Sequence, residues 1–156
     1  MTVDLGYLAR NLLENGIIET NEDVNIHDLN DLLVTLQFYA IKWPDYNNEN
    51  KQFNTIVLKN CANNKNNLIY PWKESTIKEA IKVIEAITND TFVNSYLIDD
   101  LIKQKYVIKN DKEYSLGLRT LINYEDYLIE LNPKKYKKCE GCLLIVEHGN
   151  KHKNCS

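Results

Sequence analysis

Near the start of the chain, Leu5, Leu8, Leu12 and Leu13 recur at helical spacing, and Gly16 follows as a stop. A second helix is predicted from about Asp28, with Leu29, Leu32, Leu33 and Leu36 on one face and Asp28 as its N-cap. The period then changes from helical to alternating. Tyr39, Ile41 and Trp43 alternate with Ala40 and Lys42, Pro44 and DYNNEN interrupt, and Phe53, Thr55 and Val57 alternate with Asn54, Ile56 and Leu58. Two alternating runs around a polar, turn-rich loop predict a β-hairpin. Helices followed by a hairpin are the layout of a winged-helix domain.

The second half repeats this layout without repeating the sequence. Thr76 and Glu79 have the spacing of a capping box, ahead of an apolar stripe at Ile77, Ala80, Ile81, Ile84 and Ile87. A shorter helix carries Leu97, Ile98, Leu101 and Ile102. Tyr106, Val107 and Ile108 run into the turn residues Asn110-Asp111, and Tyr114 begins the return of a short second wing. A last helix carries Leu118, Leu121, Ile122, Tyr124, Leu128 and Ile129, and Pro133 ends it. The predicted fold class is therefore α+β. Residues 1–72 and 73–132 form tandem winged-helix domains, a basic linker spans 133–138, and residues 139–156 form a short zinc-binding β-hairpin. The stretch NCANNKNN reads as a flexible connection, and its Cys61 as buried or inert rather than reactive.

The chemistry concentrates in the closing segment, KKCEGCLLIVEHGNKHKNCS, which holds three of the four cysteines and two of the three histidines. Cys139, Cys142, His152 and Cys155 read C-x2-C-x9-H-x2-C. A C-x2-C turn aims two thiolates at one side of a tight bend, and Gly141 lets the backbone fold close to an ion. Zinc takes four such N and S ligands in structural sites. The apolar run LLIVE and the turn signal His148-Gly149-Asn150 separate the ligand pairs. Twenty residues cannot bury a core, so metal would supply the folding energy. Other readings are free thiols, a redox pair or a disulfide at Cys139 and Cys142, an ordinary exposed His152, or His148 as the third ligand in its place.

No apolar run approaches the length of about 18 residues that spans a membrane, so no membrane partner is expected. The N-terminus lacks the shape of a secretory signal, and a reducing, intracellular compartment fits the cysteine usage. The net charge of −3 hides an asymmetry: residues 1–100 carry 8 basic and 15 acidic side chains, residues 101–156 carry 11 and 7. An acidic front half is a poor nucleic-acid surface. The basic rear half could touch phosphate weakly through Lys134, Lys135, Lys137 and Lys138, or these could line a solvated linker. Asp99-Asp100 and His27 read as solvated helix-surface groups. Glycines do not cluster into a phosphate loop, and nothing pairs a nucleophile with a base.

Several stretches, in order, carry a resemblance: NLLENGIIE, FYAIKWP with TIVLKN, YVIKNDKEYSLGLRTLINYEDYLIELNP, and KKCEGCLLIVEHG. Together they resemble the non-SMC element 1 family, across essentially the whole chain. Members are nuclear subunits of the SMC five/six complex, which acts in chromosome maintenance and DNA double-strand-break repair. The family architecture is two winged-helix domains and a C-terminal variant RING. The resemblance implies docking with a MAGE-type partner and a kleisin, and a Zn2+ cofactor. It also implies RING-type E3 ubiquitin-ligase activity. Cys139 and Cys142 match the first RING ligand pair; His152 and Cys155 fall where the second belongs, with His152 in place of a usual cysteine. A RING takes eight ligands, and four are present here, so the expectation is a truncated RING-like, non-catalytic module. A winged-helix DNA-binding protein is the third reading; its recognition-helix candidate, NSYLIDDLIKQKYV, sets Asp99 and Asp100 against Lys103 and Lys105.

Overall fold

The computed structural model describes residues 4–43, 54–60, 74–152 and 155. Helix α1 (Leu5–Asn15) is capped by the Asp4 carboxylate, which accepts from the Tyr7 N–H. It ends on Gly16, whose φ of +74° is the left-handed C-cap that glycine adopts without a Cβ penalty. Helix α2 (Ile26–Leu33) begins three residues earlier than Asp28 would place it: Asn25 is the N-cap and accepts from the Asp28 N–H. A 3-10 turn over Val34–Leu36 closes it.

Ile17–Thr20 form a strand, β1, where the sequence suggested only a helix stop. With β2 (Phe38–Trp43) and β3 (Asn54–Asn60) it makes an antiparallel three-stranded sheet in the order β1-β3-β2, with Ile17 opposite Val57 and Ile41 opposite Val57 on the other side. The hairpin loop at DYNNEN, the NCANNKNN segment with Cys61, and the predicted boundary between residues 72 and 73 lie outside the described residues.

The second unit follows: α3 (Glu74–Thr88), α4 (Ile98–Lys103), the hairpin β4 (Val107–Asn110) and β5 (Glu113–Leu116), α5 (Leu118–Asn123) and α6 (Glu125–Leu131). Two expectations are corrected here. α3 already begins at Glu74, so Thr76 lies inside the helix rather than at its cap, and the Glu79 carboxylate accepts from the Ser95 hydroxyl. The single last helix is two, broken at Tyr124, whose φ of −116° and ψ of 21° leave the helical range.

Burial explains how the units join. Ile56, Val57 and Leu58 of β3 are all fully buried because β3 is covered on both faces. Ile56 and Leu58 pack with Leu12, Leu29 and Leu33 of the front helices. Val57 and Trp43 face the other way, into a core shared with Val83, Ile84, Leu101, Tyr106 and Ile122.

Polar contacts seal the seam. β1 stops short of Leu58, and the Gly16 carbonyl accepts its N–H at 2.9 Å. The Asn123 amide then continues the ladder, accepting from Asn60 N–H at 3.0 Å and donating to the Leu58 carbonyl at 3.1 Å. Arg119, one turn earlier on α5, stacks its guanidinium on the Tyr106 ring at 4.3 Å and donates to the Gln104 carbonyl. A Cβ on Gly16 would lie 2.2 Å from the Arg119 guanidinium carbon, so that close approach also demands glycine.

Candidate metal centre

The last hairpin is built around the first cysteine pair. Tyr136–Lys138, expected to be linker, form β6, and Ile145–Glu147 form β7. They pair antiparallel, with Lys138 opposite Ile145. The strand before the first ligand pair thus partners the strand after it, whereas the sequence suggested a hairpin closing between the two ligand pairs. The turn is tight: Cys139 N–H donates to the Leu144 carbonyl at 2.7 Å, and Leu143 N–H donates to the Cys139 carbonyl at 2.9 Å. Positive φ at Leu143, His148 and Gly149 then turns the chain back, and Glu140 N–H donates to the Asn150 carbonyl at 2.8 Å.

This path brings together all four side chains singled out by spacing. The thiols of Cys139, Cys142 and Cys155 and a ring nitrogen of His152 lie within 4.8 Å of one another. The His152 Nδ1 is 3.2 Å from the Cys142 sulfur and 3.6 Å from that of Cys155. Ligand atoms of a tetrahedral zinc–thiolate site stand about 3.3–3.8 Å apart. Small inward adjustments would therefore let the four hold one metal ion.

The surroundings aim the imidazole. His152 Nε2 lies 2.7 Å from the Ile145 carbonyl, which can only accept, so Nε2 carries the proton and Nδ1 keeps its lone pair toward the thiols. The edge of the ring meets Trp43 with centroids 5.0 Å apart. Cys139 and His152 are buried; Cys142 and Cys155 are half-exposed, and all three thiols are unpaired by disulfide.

The thiols are unlike one another. Burial alone would raise Cys139, but N–H groups of Cys142, His152 and Gly141 and the Cys142 thiol draw it down to about 6. Cys155 is pushed up to about 12 by burial and then by its contacts with Cys142 and Cys139. One thiolate crowded by neighbouring thiols is an arrangement that a dication relieves.

The remaining candidates scatter. His148 is exposed, with its Nε2 3.4 Å from the Glu147 carboxylate, and stands outside the cluster. His27 is exposed, 4.0 Å from Asp31. Asp99 and Asp100 are exposed in the first turn of α4. The basic run divides. Lys135 pairs with Asp90 at 3.2 Å and Glu147 at 3.9 Å, and Lys138 pairs with Glu125 and with Asp126 at 3.4 Å, while Lys134 and Lys137 are exposed.

No family model and no curated protein sequence matches the chain. Its fold matches a chain of the solved Nse1-Nse3-Nse4 complex. The TM-score is 0.63 over 100% of this chain and 86% of that one, at 15% sequence identity. The likeness is one of fold, and it runs from the first helix through the metal module.

Within that fold, sequence reasoning missed the residues that seat the module. Glu125, at the start of α6, is buried, and its carboxylate accepts from Lys138 and from Ile145 N–H at 3.0 Å, with Lys59 of β3 3.8 Å away. Burial, and then the nearby Lys59, lowers the pKa of Lys138. Trp43 covers His152, and Tyr136 and Ile145 enter the shared core. The available signal was faint: an acid directly after the Asn123-Tyr124 break and a tryptophan at a strand end.

Proposed function

We propose that this chain is a non-catalytic assembly subunit of an SMC five/six-type complex, acting in chromosome maintenance and DNA double-strand-break repair in the nucleus. Its partners are a MAGE-type subunit and a kleisin. The carrying observation is the fold likeness to a chain of the Nse1-Nse3-Nse4 complex along the full described length. The C-terminal module binds one Zn2+ through Cys139, Cys142, His152 and Cys155; three thiolates and an imidazole are a donor set that zinc takes in closed structural sites. When bound, zinc supplies folding energy to the module rather than a reactive position.

The test is co-expression with the other two subunits encoded in the same genome. A stable three-chain particle carrying one zinc from this chain, without ubiquitin discharge from a charged E2, is expected. A chain that elutes alone, beside partners that assemble without it, would sink the proposal. The basic run favours no DNA-binding reading, since two of its four lysines pair with carboxylates of the same chain, one of them the buried Glu125.

A further inference from the structure

Far from the metal module, a groove of about 590 Å³ runs between α1 and β1. Asp4, Tyr7, Leu8 and Asn11, one face of α1, form its first wall; Ile18, Glu19 and Thr20 form its second. Three features meet there.

The first is an open strand edge. β1 lies at the end of its sheet. The bond from Leu58 N–H to the Gly16 carbonyl, with Ile17 opposite Val57, makes Ile18 and Thr20 the residues whose backbone faces β3. The N–H and carbonyl of Glu19 therefore point away from β3, and among the described residues they make no backbone hydrogen bond. The second is an apolar strip, with Leu8 and Ile18 beside the largely exposed Tyr7 ring. The third is charge: Asp4, Glu19 and Glu22 line the groove, and among the described residues no lysine, arginine or histidine does.

We infer that this groove receives an extended segment of another protein, alternating apolar and basic side chains, which adds to β1 as an extra strand. An unpaired edge offers main-chain pairing to such a segment. Alternate side chains of a strand point to opposite faces, so every second residue reaches Leu8, Ile18 and Tyr7 while those between lie along Glu19. The proposal concerns a surface apart from the metal module and stands whichever complex the chain joins.

The experiment is a fluorescence-anisotropy titration of the full chain into a short labelled peptide in which lysine and valine alternate. Saturable binding is expected, and its loss when glutamate replaces lysine. Glu19→Lys, which leaves the backbone intact, should weaken binding about tenfold. Glu19→Pro removes the outward N–H without touching the β1–β3 ladder and should weaken it at least as much. Circular dichroism checks each fold, and Glu19→Lys carries the test alone if the proline variant misfolds. Absence of binding, equal binding of the glutamate peptide, or indifference to Glu19→Lys overturns the proposal. So does binding that appears only after residues 1–3 are removed, which would make the chain's own N-terminus the occupant. A dimer that Glu19→Lys abolishes would instead make it a second copy of the chain.

Discussion

The hairpins β2–β3 and β6–β7 share one kind of antiparallel pairing and are held by different physics. The first has six residues in register and a central strand buried on both faces, against Leu12, Leu29 and Leu33 on one side and the second unit on the other. Apolar burial is its main support, with the Asn123 amide continuing its ladder. The second has three residues in register and contributes Tyr136, Ile145 and Val146 to the interior, too little to order twenty residues. Polar anchors on its neighbours hold it, and a metal ion bound by the four-donor cluster would supply the remainder. A strand pair therefore says little about what stabilises it; the covering layers decide.

Metal removal should separate the two hairpins most sharply. Chelation, or Cys142→Ala, removes a term of roughly 10 kcal/mol or more at neutral pH. Hydrogen exchange should show protection lost in β6 and β7 and kept in α1, α2 and β3, with Trp43 emission shifted to the red as His152 leaves its ring. Protection lost everywhere at once would mean that the front core depends on the tail. The reverse experiment is Leu29→Ala, which opens a cavity in the front core and should cost about 2–5 kcal/mol in denaturant unfolding. One zinc per chain should remain by elemental analysis.

Glu125→Ala should come next, at about 1–3 kcal/mol, because the buried N–H of Ile145 loses its acceptor. Zinc affinity should fall in the same variant, although Glu125 is no ligand. A change in stability with unaltered zinc affinity would show that the anchor and the metal act separately.

A smaller effect comes from Tyr127 on α6, pushed up to about 12 by burial, then by its hydrogen bond to Glu85 and the charge of that carboxylate and of Glu130. Its neutral phenol stabilises the fold fully below its ordinary value of 10.0 and less as pH rises toward about 12. An alkaline titration should therefore loosen α6 against α3 before it reaches the front core. Least of all, Lys137→Ala should change stability by no more than about 0.5 kcal/mol. The chain should bind duplex DNA weakly, with salt reducing what binding there is; tight binding at physiological salt would contradict the division of the basic run.

What could be read in advance followed from local rules. Helical and alternating periods located most of the elements. Only β1, four residues after a glycine stop, and the short strand β6, disguised by lysines, went unseen. The continuous run Ile56-Val57-Leu58 was itself the mark of a strand covered on both faces, a pattern that simple alternation hides. The α5–α6 break was hidden because Leu121, Ile122, Leu128 and Ile129 keep nearly helical spacing across it.

By itself the sequence determined the α+β class, most of the helices and the β2–β3 and β4–β5 hairpins, and which four side chains make up the candidate metal centre. Those features rest on backbone periodicity and on the geometry of a C-x2-C turn, both of which act over a few residues. Only the tertiary structure decided that the metal module is seated against the body, that Trp43 covers His152, and that Glu125 ties Lys59, Lys138 and Ile145 together. These contacts join residues distant in the chain. They exist because β3 and α6 bring low-dielectric surface to the hairpin, where the carboxylate and the imidazole find the polar partners that make their burial favourable.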